Sequence, residues 1–267
     1  MRDTTGNPCD AVPAALTAVA FGDQPGRWPL PGATTPEQLW LRAVAAGGQG
    51  RYASAEADLA VLLRGSAGRL TSLAHSTRAS FLRQLGGHAT ARGLDGRALA
   101  LAGADPEATA DALVGLAADA LGVGRFAASA ALLARAATVP DDATPRLAVR
   151  RGWVSAELAM VTGDGAAAVR HAEHAVELTP ATMLRHRVKG QVVLAAALCC
   201  AGSAEQARRV ADAALGEADR RGLIPLRWAL ACLLADLGSA TRSAEQIRGI
   251  RDDCAETVRR RGGVWQR

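Results

Sequence analysis

The sequence predicts an all-α fold, a right-handed superhelical solenoid of about six antiparallel helix hairpins, and three observations carry that expectation. The chain of 267 residues is 49% hydrophobic but only 3% aromatic. That alanine-dominated mixture favours helix over sheet. Glycines that each follow one helical apolar run and precede the next stand at Gly50, Gly86, Gly124, Gly163, Gly202 and Gly238, so the spacings are 36, 38, 39, 39 and 36 residues. Small residues keep a fixed register to them: Ala43, Ala79, Ala117, Ala156, Ala195 and Ala231 lie seven before, and Ala55, Ala91, Ser129, Ala168 and Ala207 lie five after the first five.

The register has a physical reading. Two antiparallel helices approach closely only where their facing side chains are small, and a glycine between them ends the first helix in a left-handed turn. Longer echoes support the period. GRYASAEADLA from Gly50 is repeated as GRFAASAALLA from Gly124, and SAEQAR at Ser203 returns as SAEQIR at Ser243. Each of the latter is a Ser-x-x-Gln capping box that would open a second helix. In the sixth unit the loop SATRS inserts before that helix.

Along the chain, residues 1–35 read as a flexible leader and Pro/Gly-rich linker, with GDQPGRWPLPGATTPEQ packing proline and glycine densely. Thr34 or Thr35 caps the helix that begins near Pro36, a favoured first-turn proline. Residues 36–260 form the helical repeat domain and 261–267 a basic tail. The end RRRGGVWQR reads as a frayed cap, with Trp265 able to fold back on the last helix.

The stretch GDGAAAVRHAEHAVELTP from Gly163 resembles the second half of a tetratricopeptide repeat. It has the turn glycine, the small residues Ala168 and Ala175, and the closing Pro180. Ala98, Ala136 and Ala214 hold the second small position in repeats two, three and five, whereas Leu62 departs from it in the first. The Ala/Arg/Gly bias, with Lys189 the only lysine, points to a GC-rich, actinobacterial source.

The resemblance implies that the first helix of each hairpin lines a concave groove for a peptide. Ten residues before the turn glycines stand Trp40, Ser76, Val114, Trp153, Val192 and Trp228; three earlier, Arg150 and Lys189 share that face. Trp40, Arg150, Trp153, Lys189 and Trp228 are therefore the expected partner-binding residues, suited to an acidic, partly apolar peptide. A one-residue change of register would make the tryptophans ordinary hairpin core. The family's grip on a terminal carboxylate uses asparagine and lysine, and the only asparagine here is Asn7.

Arg146, Arg151, Arg185 and Arg187 are expected as a solvated basic face of repeats four and five. A net charge of +5 spread over the chain argues against nucleic acid. His171 and His174 share a helix side with Glu173 and Glu177 nearby, but a metal site needs a third ligand that the sequence does not fix, and exposed helix surface is the expectation. Cys199 and Cys200 fall in an apolar run and read as core. No phosphate-cradling loop, nucleophile elbow, HExxH or dinucleotide fingerprint is found in context. The expectation is a cytoplasmic, non-catalytic scaffold that uses no cofactor and no metal and binds a protein or peptide. The alternatives are a transcription-regulatory module acting in trans, or nucleic-acid binding through the basic face. No segment is apolar enough to cross a membrane, and oligomeric state is not specified.

Overall fold

The computed structural model describes residues 8–139 and 144–266, and every regular element among them is a helix. Residues 1–7 (including Asn7), 140–143 and Arg267 lie outside the described residues, as do the side chains of residues 8–11, Cys9 among them. The order is α1 (Pro8–Ala20), α2 (Pro36–Gly48), α3 (Tyr52–Leu62), α4 (Arg69–Gln84), α5 (His88–Leu101), α6 (Pro106–Gly122), α7 (Phe126–Ala137), α8 (Pro145–Val161), α9 (Gly165–Leu178), α10 (Leu184–Cys200), α11 (Ala204–Arg220), α12 (Ile224–Leu237) and α13 (Ala244–Arg260).

Helices adjacent in sequence pack on one another, and α4, α6, α8 and α10 also touch in succession. The glycine register explains why. All six predicted turn glycines have positive φ, from 72° at Gly50 to 90° at Gly86, a conformation that side chains with a Cβ adopt only with strain. All six alanines seven residues earlier, and all five small residues after, are fully buried between the helices they join. Ala98, Ala136, Ala175 and Ala214 are buried as well, and so is the departing Leu62.

Local signals account for several helix starts. Thr35 and Gln38 form a capping box at the start of α2, with Pro36 in the first turn. Asp105 and Asp164 cap α6 and α9. Of the two Ser-x-x-Gln sequences only Ser243 makes its box; Ser203 occupies the cap position of α11 without a side-chain bond. The difference is in the approach. Ser243 follows a longer loop and is extended at ψ 158°, whereas Ser203 comes straight off the Gly202 turn at ψ 54°. That longer loop is itself anchored by Asp212, which accepts from Ser239 Oγ and Ala240 N.

Both ends depart from the sequence expectation. The segment expected as a flexible leader contains α1, and its Leu16, Val19 and Ala20 join the core formed by α2, α3 and α4. The linker after it is held by Gln49, whose side-chain amide donates to the carbonyls of Pro25 and Arg27. The tail is packed where a frayed cap was expected: Trp265 meets Trp228 at 4.3 Å between ring centroids, and Gln266 N donates to Leu85 O at 2.8 Å. Arg261 bridges from the last helix to the first hairpin, so the array curls round until its end meets its beginning. The reason is apolar: Val258, Ile224 and Trp265 find cover against α2–α4 that neither end has alone. Cys200 is exposed and Cys199 half-buried, because they end α10 where it emerges beyond the buried Ala197 and Leu198.

Candidate functional site: an inner chamber

The first helices of successive units face a common interior, and there they line a half-open recess of about 370 Å³. Its walls include Trp40 from α2, Arg150 and Trp153 from α8, Lys189 from α10 and Trp228 from α12, all five of the residues expected to bind a partner. The tenth-residue register also brings in Ser76, but not Val114 or Val192, which pack into apolar clusters between helices. Trp40 and Trp153 are themselves largely buried, so they are both core and chamber wall. Trp40 Nε1 donates to Thr77 Oγ1 at 3.0 Å; the Trp153 ring stacks on His186 at 5.5 Å, with Lys189 Nζ 5.9 Å from its centroid.

Because the array curls round, α1 and the tail also reach the chamber. Phe21 lies between Trp40 and His186, at 5.5 and 6.0 Å between centroids. Trp265 lines the chamber together with Trp228. Phe21 ends the apolar leader run AVPAALTAVAF, whose entry into the groove the sequence leaves open, since no periodicity links a leader residue to the repeats. Asp111 and Glu157, by contrast, occupy register positions thirteen and six before Gly124 and Gly163, and the same counting would have found them.

The four arginines expected on one solvated basic face are not on one face. Arg187 is exposed and Arg151 half-exposed, but Arg146 and Arg185 line the chamber. Arg146 is buried and donates to Glu107 and Asp111, both at 3.0 Å. It belongs to a ladder of residues seventeen before consecutive turn glycines: Arg69, Glu107, Arg146 and Arg185. Glu107 accepts from Arg69 at 2.7 Å as well as from Arg146. Single-sequence reading treats such arginines as surface because charge burial depends on partners supplied by neighbouring repeats.

A second buried ionic group meets the wall at Arg83. Arg83 bridges Asp95 and Asp119, which are without solvent exposure, and Ser76 donates to Asp95 at 2.9 Å. Burial pushes the Asp95 carboxyl up to about 6, against the pull of Arg83 and with repulsion from Asp119. Arg150 contacts Asp111, and burial with nearby Arg83 and Arg185 lowers its pKa to about 10. Burial, then Arg146, lowers Arg185 equally, to about 10. His186 is held well below the usual histidine range by burial first and then by Arg185, Arg146 and Arg150, so it is neutral near pH 7.

The chamber combines flat aromatic walls, five cationic side chains (Arg83, Arg146, Arg150, Arg185, Lys189) and two carboxylates (Asp111, Glu157). Among the described residues, no group of three or more His, Cys, Asp or Glu side chains is placed to hold a metal ion; His171 and His174 are on the surface. Fold and site together define an all-helical, repeat-like protein with a half-open interior recess of ligand-binding size. No protein-family model matches the chain, and no curated protein sequence matches it. Among the described residues, no helix is long and apolar enough to cross a membrane.

Proposed function

We propose that the chain is a non-catalytic binding module of the tetratricopeptide-like kind. In this reading, six helix pairs form a right-handed superhelix whose inner chamber takes an acidic, partly apolar segment of a partner protein. The observation that carries this is the convergence of Trp40, Arg150, Trp153, Lys189 and Trp228, from four separate helices, on one cavity. Rigid aromatic side chains in a half-open recess supply affinity, and surrounding cations favour and steer an acidic segment. The chamber is too small for a folded domain, so the partner contributes a short segment and not a surface. Nucleic-acid binding through repeats four and five gains no support, because Arg146 and Arg185 are turned inward.

The test is a display selection of short peptides rich in Asp, Glu, Leu and Phe, followed by fluorescence-polarisation titration of the winners. Selected peptides should bind at least about tenfold more weakly to Trp153→Ala/Trp228→Ala, the range expected on removing aromatic anchors. A double variant that retains its helical circular dichroism and binds unchanged would place the peptide elsewhere and reject the reading.

A further inference from the structure

The charge ladder on the chamber wall stops alternating at one step. Arg69 and Arg146 flank Glu107 and share its two oxygens, but the next position, Arg185 on α10, is another arginine with no acid between it and Arg146. Among the described residues Arg185 has no carboxylate partner. Its Nη2 donates to the main-chain oxygen of Ala20 at 3.2 Å, and its Nε, although buried, has no acceptor. Beside it the buried His186 leaves Nδ1 unsatisfied.

The arrangement is built rather than incidental. The stem of Arg185 runs over Gly48 of α2, where a Cβ would come within 2.8 Å of its Cδ, so the lack of a side chain there makes room for the arginine. Arg146 stands 5.5 Å from the Phe21 ring centroid, and Arg150 approaches from the adjoining turn of α8. Among the described residues the acceptor bonded to Arg185 is a main-chain oxygen at the carbonyl end of α1, equivalent to about half a charge at most. A half-buried guanidinium whose Nε is shut off from water, set beside the buried Arg146, is costly unless an anion joins them.

We infer that this break in the ladder is an oxyanion subsite. A ligand carboxylate or phosphate sits between Arg146 and Arg185 with Arg150 alongside, and its apolar body lies against Phe21, Trp153 and the ring of His186. The inference rests on the chamber being the binding site and specifies which group of the ligand it grips. A planar guanidinium with a free Nε–H edge suits two oxygens of one anion. The same chemistry can come from a side-chain carboxylate of a peptide or from a free organic acid.

Phenylacetate, inorganic phosphate and phenylacetamide distinguish these cases when titrated against the intrinsic tryptophan fluorescence of the full chain. Phenylacetate should bind saturably and raise the melting temperature, and the uncharged amide should do neither. Arg185→Gln should weaken phenylacetate at least about tenfold, the effect of one charge-assisted hydrogen bond. If Arg185→Gln does not fold, Arg150→Gln carries the same expectation. Equal binding of the amide, or unchanged phenylacetate binding by a folded variant, overturns the subsite.

Competition separates this inference from the peptide reading. Displacement of phenylacetate by the selected peptide supports both and identifies the peptide as an oxyanion source. Phenylacetate or phosphate binding, weakened by Arg185→Gln, in a protein that binds no peptide keeps the subsite for small acids and removes the peptide reading. A peptide that binds through Trp153 and Trp228 while neither anion binds or competes keeps the chamber and overturns the subsite.

Discussion

Arg261, the residue after the last helix, donates from Nη1 to the main-chain oxygen of Gln49 at 2.8 Å, across 212 positions of sequence. Its own carbonyl accepts from Ala53 N at 2.9 Å, so the two ends of the array are joined by a reciprocal pair of hydrogen bonds. Ending the chain after Arg260 removes these bonds, the Trp265 cover on Trp228 and the Gln266–Leu85 hydrogen bond. The truncated protein should lose several degrees of melting temperature, and its tryptophan emission should shift to the red. An unchanged melt and spectrum would mean that the closure contributes nothing to stability.

The first helix belongs to the core, and its contribution can be measured. Leu16 is fully buried among α2 residues, so Leu16→Ala should cost about 2–5 kcal/mol in urea unfolding. A loss below about 1 kcal/mol would return α1 to the role of a detachable leader.

The register itself is testable at two positions that differ in mechanism. Gly163 has φ +82° and open space around a would-be Cβ, so Gly163→Ala should destabilise through the backbone alone, by about 1–2 kcal/mol. Ala117→Leu should cost about 1–3 kcal/mol or more by overpacking the α6–α7 contact, whereas Ala166→Leu on the exposed side of α9 should be near neutral. Chemical denaturation of the three variants reads all of these outcomes, and equal effects at Ala117 and Ala166 would contradict the packing assignment.

Two buried groups give stability opposite slopes with pH. Asp95, raised to about 6 chiefly by burial, keeps its proton in the folded state over a range where the unfolded carboxyl, near about 3.9, has lost it. Acidification from pH 7 towards 5 therefore stabilises the fold through Asp95. His186, lowered chiefly by burial, stays neutral while the unfolded histidine gains a proton as the pH falls through about 6.5, so stability is lost through it over the same interval. Urea midpoints between pH 5 and 8 should show Asp95→Asn removing a gain on acidification and His186→Asn removing a loss. Slopes of the reverse sign would mean that the two protonation states are assigned wrongly.

The sequence alone determined the helical class, the period and much of the inner face. These are local properties: a left-handed turn demands glycine, close helix contact demands alanine or serine, and helical periodicity then turns most of the tenth residues before the glycines, and in α6, α8 and α10 the thirteenth, inward. That is why Trp40, Arg150, Trp153, Lys189 and Trp228 could be placed together from the sequence. What the tertiary structure decided is where the array ends and where its charges go. The return of α13 onto α2 and α3 and the seating of Phe21 beside Trp40 arise from contacts across most of the chain, with no periodic trace in the sequence. Arg146 and Arg185 look alike in sequence, yet one is matched by Glu107 and Asp111 and the other is left facing a carbonyl. The difference depends on which residues neighbouring helices bring within a few ångströms.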